Sequence, residues 1–420
     1  MTDHAPVDAR RPVSEPQPQP QPEPAPIAAP AILPTRPVER LTLANARMVL
    51  TDEVVTGSLR IEDGVIVEID SGAGVPVGAE DCGGQLVMPG MVELHTDNLE
   101  RHLMPRPGVV WPGAAAVLSH DGELASAGIT TVFDAVRVGS MRNTGGQAKK
   151  DYSKYARGVV DHIKAMRAAG LTRADHRIHL RAEVCSETVL EELDEFGPDD
   201  SVAIISVMDH TPGQRQFADL DRFRQYHQGK YNLTDAEMQA HIEFTRGLYE
   251  KWGVEHEDGI VARARALGAK IASHDDTTEG HVARSVALGV HFAEFPTTLR
   301  AARACRDASV PVMMGAPNVL RGGSHSGNVA AMELAEAGYL DVLSSDYAPS
   351  ALLLATYRLG EALDDLPAAV RCVTAAPAAA AGLTDRGRLV PGLRADLLRV
   401  VLHDGLPVLT GAWAGGRRIA

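Results

Sequence analysis

The stretch Met91-Val92-Glu93-Leu94-His95-Thr96-Asp97 decides how the chain is read. It leaves a Pro89-Gly90 turn, runs through apolar residues and ends in His and Asp. A short strand with polar groups at its C-terminal end is the repeating unit of a parallel β/α barrel, whose chemistry sits at that end of its strands. Seven segments downstream read the same way: ITTVFDAV (129–136), HRIHLRAEV (176–184), VAIISVMDH (202–210), KIASHD (270–275), VHFAEF (290–295), PVMMGAP (311–317) and DVLSSD (341–346). Between them lie helical patterns: SKYARGVVDHIKAMRAAG (153–170), SETVLEELDEFG (186–197), EDGIVARARALG (257–268) and NVAAMELAEAG (328–338). Each of these ends in Gly, a common helix C-terminal signal. Eight strands alternating with helices predict an α/β fold, a TIM-like (β/α)8 barrel, over residues 89–384. A doubly wound open sheet shares the alternation, but no G-x-G-x-x-G follows an early strand, which removes its commonest support.

Outward from the barrel the texture changes on both sides. LTLANARMVL (41–50), VTGSLRIEDG (55–64) and VIVEID (65–70) are short β-rich runs with Asp-Gly and Thr-Gly turn signals. GRLVPGLRADLLRVV (387–401) and LPVLTGAWAGGRRI (406–419) return to that texture. Residues 41–88 and 385–420 are therefore expected to join as one small composite β-sandwich domain. Residues 1–40 are different again. Of 26 prolines, 11 fall in the first 37 residues, in a run reading PVSEPQPQPQPEPAPIAAP (12–30). Alternating Pro and Gln sustains neither helix nor sheet ladder and has little to bury. The segment reads as a disordered or polyproline-II tail, a solvated extension, with a docking segment for a proline-recognising partner as the other reading.

Composition narrows the function classes. The 420 residues carry 41 Lys+Arg against 55 Asp+Glu, a formal net charge of -14. That balance disfavours phosphate-backbone binding, and 4% aromatics make a single-strand stacking platform a poor fit. A small polyanion needs only a local cationic pocket. No nucleic-acid partner and no membrane partner is expected, since no run approaches the ~18 apolar residues of a membrane helix. Arg10 and Arg11 precede no apolar core of a secretory signal. Cys82, Cys185, Cys305 and Cys372 form no C-x-x-C pair and suit a reducing cytoplasm.

The strand ends carry the chemistry. His95 and Asp97 follow the first strand, Glu183 the third, His210 the fourth, His274 the fifth and Asp346 the eighth. Three imidazoles and three carboxylates at one kind of position point to a metal centre. Residues two apart on a strand share a face, so His95 and Asp97 can grip one ion, and Glu183 can bridge two. Imidazole with carboxylate suits Zn, Fe or Mn, as one or two divalent ions. Two ions ~3.5–4 Å apart would hold a nucleophilic hydroxide. Asp346 can ligate metal or act as the base that deprotonates water; the base role with secondary metal contact is favoured. Asp275 and Asp276 read as partners behind the ligands or helix N-cap groups.

The residues VMPGMVELHTDNLERH (87–102) resemble the opening signature of the amidohydrolase superfamily, in which a Pro-Gly turn leads to a His-x-His pair. Asp97 in place of the second His is similar to one branch, the PhnM-type diphosphatases of phosphonate metabolism. SVMDHTPGQRQF (206–217), ASHDDTTEGHV (272–282), AEFPTT (293–298), GAPNVLRGGSHSGNV (315–329) and SSDYAPSALL (344–353) continue the likeness in order, over roughly residues 41–420. Leu299-Arg300, Ala348 and Ser350 depart from it without touching a proposed ligand. The resemblance implies His95, Asp97, Glu183, His210 and His274 as metal ligands and Asp346 as general base. It implies hydrolysis of α-D-ribose 1-methylphosphonate 5-triphosphate to the 5-phosphate and pyrophosphate, in the carbon–phosphorus lyase pathway, and a homodimer.

A triphosphate requires cations in the pocket. Arg321, with Ser324 and His325 in the glycine-rich stretch 321–328, is one expected phosphate contact, its glycines opening backbone N–H groups to the anion. Arg106, stiffened by Pro105 and Pro107, is another. The competing readings are an amidohydrolase acting on C–N bonds, such as a deaminase or cyclic amidase, and a catalytically silent barrel scaffold. The first normally keeps His-x-His; the second predicts eroded ligands, whereas every proposed position holds a competent residue.

Overall fold

The computed structural model describes residues 40–106, 108–141, 154–217, 219–231, 233–324 and 327–420. The proline-rich tail lies outside the described residues. The chain opens with β1 (Arg40–Val49), β2 (Val54–Glu62), β3 (Val65–Ser71), β4 (Glu80–Asp81) and β5 (Leu86–Pro89). It then builds β6 (Met91–Thr96), β7 (Ile129–Val138), β8 (Asp175–Glu183), β9 (Val202–Met208), β10 (Lys270–His274), β11 (Phe292–Glu294), β12 (Val312–Gly315) and β13 (Val342–Ser344). It closes with β14 (Leu397–His403), β15 (Leu406–Ala414) and β16 (Arg417–Arg418).

The eight middle strands are the eight read from the sequence. They lie in sequential order, each pair parallel. The ring closes at its mouth, where Thr96 bridges to Asp346 in parallel. The Asp97 amide donates to the Asp346 carbonyl at 3.2 Å, and the Thr96 hydroxyl to the same oxygen at 2.9 Å. Buried Glu93 stitches the same seam, accepting from the His95 amide, the Ser344 hydroxyl and the Ser345 amide at 2.7, 2.7 and 2.5 Å. Burial pushes the Glu93 carboxyl up to about 7 against those three donors. Closure thus brings Asp97 beside Asp346, residues that are distant in sequence.

The strands from the two chain ends form the composite β domain, as one connected mixed sheet ordered β16-β15-β14-β5-β1-β2-β3, with β4 beside β1. β5 lies between β1 and β14, so the hydrogen-bonded joint between the chain ends comes one turn before β6. Leu43, Met48, Leu59, Ile61, Val87, Leu397 and Trp413 bury their side chains in one cluster there. Arg386 ties the C-terminal part to the barrel, donating to Asp175 and Thr131 at 2.8 and 2.9 Å.

Three helices differ from their sequence reading. The segment 328–338 is helical only over Ala331–Glu336. The segment 257–268 is only the end of a helix running Asp235–Leu267. Its start carries a capping box: the Thr234 hydroxyl accepts from the Glu237 amide, and the Glu237 carboxylate accepts from the Thr234 amide. Gly268 at φ 68° ends it. The segment 186–197 is helical only over Val189–Leu193.

Candidate functional site

Strand alternation sets the site's depth. Ile204, Ala272, Phe292, Met313 and Val342 pack with Phe133 in an apolar layer inside the barrel. Two residues further along, on the same face, stand Ser206, His274, Glu294, Gly315 and Ser344. One step thus converts an apolar plug into a polar floor. Above that floor is a cavity of about 410 Å³, within the range of small-molecule sites. His95, Asp97, Glu183, His210, His274, Asp346, Arg321 and Ser324 all line it. Arg106 is exposed on its loop and does not line the cavity. His325 lies outside the described residues.

Two carboxylates grip the imidazoles. The His210 Nδ1 donates to Glu183 Oε2 at 2.5 Å, and Glu183 Oε1 accepts the amides of Cys185 and His210, each at 3.2 Å. Burial opposes ionisation of Glu183, but His210 outweighs it and holds the carboxyl below its ordinary value. His274 Nδ1 donates to Glu294 Oε2 at 3.0 Å. His95 Nδ1 approaches the same oxygen at 3.1 Å, obliquely, and has no well-directed acceptor. The His95 and His274 rings lie 5.5 Å apart at 27°, and His210 meets His274 edge-on at 5.7 Å. Ser206 adds a hydrogen bond to Glu294 Oε2 at 2.8 Å.

The acidic residues after β10 separate. Asp276 is consumed, Oδ1 accepting from Arg215 at 2.7 Å and Oδ2 from Ser285 at 3.0 Å. Asp275 lines the cavity. Its Oδ2 is buried without a hydrogen-bond partner, 3.3 Å from His274 Nε2 and 4.0 Å from His210 Nε2. At the seam, burial and then the neighbouring Asp97 push the Asp346 carboxyl well above its usual range. Arg181 answers part of this negative charge, with Nη1 3.4 Å from Asp97 and 4.0 Å from Glu100.

An orphaned buried carboxylate oxygen, imidazoles already held by carboxylates, and carboxyls crowded together at the seam fit a divalent cation. The described residues hold such donor groups here: His95 with His274 and Glu294, and His210 with His274 and Asp275. A third group, His120 with Asp134 and His176, lies elsewhere, its nitrogens and oxygens bonded to one another.

The cationic wall is Arg137 and Arg181, two strand residues unmarked in the sequence, together with Arg321. Alternation would have found Arg181, which stands two before Glu183. Glu294 was equally legible, since it ends the sixth barrel strand. The glycine-rich stretch acts differently from expectation. The amides of Gly322 and Gly323 donate to Val319 and Asn318, capping the helix Ala316–Arg321, and Gly327 donates to Ser324. Those N–H groups are spent, so the loop offers the side chains of Arg321, Ser324 and Asn328 to the cavity instead.

No protein-family model matches the chain. The sequence is 44% identical over 383 residues to the α-D-ribose 1-methylphosphonate 5-triphosphate diphosphatase of Escherichia coli strain K12, covering 90% of this chain and all of that protein. Among solved structures the fold is similar to N-isopropylammelide isopropylaminohydrolase of Burkholderia multivorans (TM-score 0.58, 17% identity, 91% and 98% of the two chains). It is also similar to dihydropyrimidinase of Brevibacillus agri (0.57, 13%, 90% and 94%). A third is N-acetyl-D-glucosamine-6-phosphate deacetylase of Mycobacterium smegmatis, solved as a point mutant (0.58, 17%, 91% and 100%). These likenesses establish an amidohydrolase-type barrel.

Proposed function

Because the chain belongs to the family of the α-D-ribose 1-methylphosphonate 5-triphosphate diphosphatases, we propose that it hydrolyses that triphosphate to the 5-phosphate and pyrophosphate. One observation carries the reading beyond the family. A single cavity joins the carboxylates Asp97, Glu183, Asp275 and Asp346 to the cations Arg137, Arg181 and Arg321. A C–N hydrolase with a neutral substrate has no use for three guanidinium groups at its mouth. A polyphosphate does, since planar guanidinium pairs with phosphate through two parallel bonds.

The residues divide the work. His95, Asp97, Glu183, His210 and His274, which line the one cavity, would hold the divalent cation or cations, of which Zn, Fe and Mn suit the donors. When bound, such an ion lowers the pKa of water and screens phosphate charge. Asp346 takes the proton of the attacking water; its backbone is fixed by two hydrogen bonds across the barrel seam. Arg181, steadied by Asp97, and Arg321, at the end of its short helix, bind phosphate oxygens. The apolar side chains Met104, Met208, Phe295 and Met314 line the same cavity and exclude water around the anion.

The test is pyrophosphate release from the ribosyl methylphosphonate triphosphate by metal-loaded protein. Turnover of a dihydropyrimidine without pyrophosphate release would replace the reading. A cytoplasmic location belongs to the proposal, supported by four unpaired cysteines. So does a homodimer, for which a sedimentation measurement is the check. Among the described residues no helix is long and apolar enough to cross a membrane.

A further inference from the structure

We propose that the cross-strand pair Arg137 and Arg181 is the clamp for the pyrophosphate half of the triphosphate, and that Tyr155, which lies outside the cavity lining, positions both guanidinium groups. The inference rests on the reading that the cavity takes a polyphosphate, and it assigns one half of that substrate to one wall.

Register puts the two arginines together. Arg137 on β7 pairs directly with Arg181 on β8, so both side chains leave the sheet on one face, about 5 Å apart at the backbone. Both line the cavity. Like charges directly opposite each other on neighbouring strands destabilise a sheet, and an anion lying between them removes that cost. Two forks side by side match two phosphoryl groups joined through one oxygen, since each guanidinium pairs a phosphate through parallel N–H bonds. Arg137 Nη1 also donates to the Gly139 carbonyl, which fixes its fork at the strand end. Arg181 Nε is buried without a hydrogen-bond partner and so still has a proton to give. Arg321 stands across the barrel: it follows β12, four strands from β8 in a ring of eight. A single guanidinium there suits the methylphosphonate ester, which carries one charge, and leaves the pyrophosphate to the paired wall.

Tyr155 stands behind the pair, just before the helix Ala156–Ala168, its ring packed against the buried cluster that includes Leu99, Val138 and Val159. Its hydroxyl accepts from the Arg137 amide at 3.0 Å and gives its one proton to Glu100 Oε1 at 2.5 Å. Its ring faces the Arg137 guanidinium, whose carbon lies 5.5 Å from the ring centroid. Glu100 in turn lines the cavity, 4.0 Å from Arg181 Nη1. One side chain thus fixes Arg137 at backbone and guanidinium and holds the carboxylate beside Arg181. Burial, and then the nearby Glu100 charge, push the Tyr155 hydroxyl well above its ordinary value, so the proton stays in place. Without that proton the carboxylate draws Arg181 to itself and repels an incoming phosphate.

The test is calorimetric titration of metal-loaded protein with pyrophosphate and, separately, with ribose 1-methylphosphonate 5-phosphate, the two products. Arg137→Met is expected to weaken pyrophosphate about 10–100-fold, the range for hydrogen bonds to a charged group, and the other product less than about threefold. Equal weakening of both products, weakening mainly of the other, or no weakening would overturn the assignment. Should Arg137→Met not fold, Arg137→Lys keeps the charge and loses the fork; it should weaken pyrophosphate about tenfold, and an unchanged affinity overturns the clamp. Tyr155→Phe keeps the ring over Arg137 and should also weaken pyrophosphate about tenfold, whereas adding Glu100→Gln should return the affinity to within about threefold of wild type. A double variant as weak as Tyr155→Phe alone removes the positioning role, since a purely structural loss is not repaired by neutralising Glu100. Pyrophosphate binding is read without turnover, so failure of the triphosphate assay leaves the titration readable. A cleaved triphosphate with pyrophosphate affinity unchanged in Arg137→Met refutes the clamp alone.

Discussion

Replacing His176 by Gln perturbs a buried charge network whose pH behaviour the structure sets in advance. His176 on β8 sits between two carboxylates, with Nδ1 2.8 Å from Asp134 on β7 and Nε2 3.2 Å from Asp121 on the helix Gly113–Ala127. All three are fully buried. Both ring nitrogens face acceptors, so the imidazole carries two protons. Burial opposes that charge, but Asp134 and Asp121 outweigh it and lift the His176 pKa to about 10. His120 donates to the other Asp134 oxygen at 2.9 Å, and the Asn98 amide, next to Asp97, lies 3.0 Å from His120 Nδ1. The network therefore supports the segment that presents Asp97.

The sign follows from linkage. The folded pKa lies above the unfolded value near 6.5, so folding takes up a proton between the two. The stabilisation is complete below pH 6.5 and fades as pH rises toward 10, by about 1.4 kcal/mol per pH unit and at most about 5 kcal/mol over the window. His176→Gln leaves Asp121 and Asp134 short of one positive charge and should cost about 3–5 kcal/mol at pH 6.5. The gap between wild type and variant should then narrow by about 1.4 kcal/mol per unit. For a chain of this size that is at most about 2 °C in melting temperature per unit. Thermal unfolding of both proteins at pH 6.5, 7.5, 8.5 and 9.5 measures the gap, and other titrating groups cancel in the difference. A gap constant across that range would refute the doubly protonated His176.

Asp346→Asn should keep metal affinity and lower turnover by about 10²–10⁴-fold, the usual worth of a general base; steady-state pyrophosphate assays with parallel metal analysis check it. Arg181→Met removes the cation facing Asp97 and the cavity, and should raise the Michaelis constant for the triphosphate more than tenfold; an unchanged constant would leave Arg181 only propping Asp97. Gly139→Ala should destabilise by about 1–3 kcal/mol, read by denaturant unfolding. Gly139 has φ 105°, and an added Cβ would stand 2.7 Å from the Ser186 hydroxyl and 3.1 Å from the Glu183 carbonyl.

The barrel was legible because burial inside a parallel sheet demands short apolar runs, and eight of them stand in order with polar residues at their ends. The long helix was half legible. Its Gly268 stop was read, whereas the Thr234–Glu237 box at its start lay in a polar stretch that gave no strand or core signal. The cationic wall divided in the same way. Arg321 was marked by a glycine-rich neighbourhood, although the structure shows those glycine amides serving the helix end. Arg181 shares a strand face with Glu183 and was open to the same alternation, whereas Arg137 looks like a solvent-facing strand residue until the ring closes around it.

By itself, the sequence determined the kinds of residue available at each strand end, since alternation and strand order are local properties of the chain. It also determined family membership, through residues spread over most of its length. Only the tertiary structure decided which carboxylate meets which imidazole. Glu183 ends one barrel strand and Asp275 follows another, yet one turns to the Nδ1 of His210 and the other lies on its Nε2 side. That difference lies in a backbone turn at Asp275, φ 55°, and in contacts between strands far apart in sequence. Closure of the ring sets both, and no single segment encodes it.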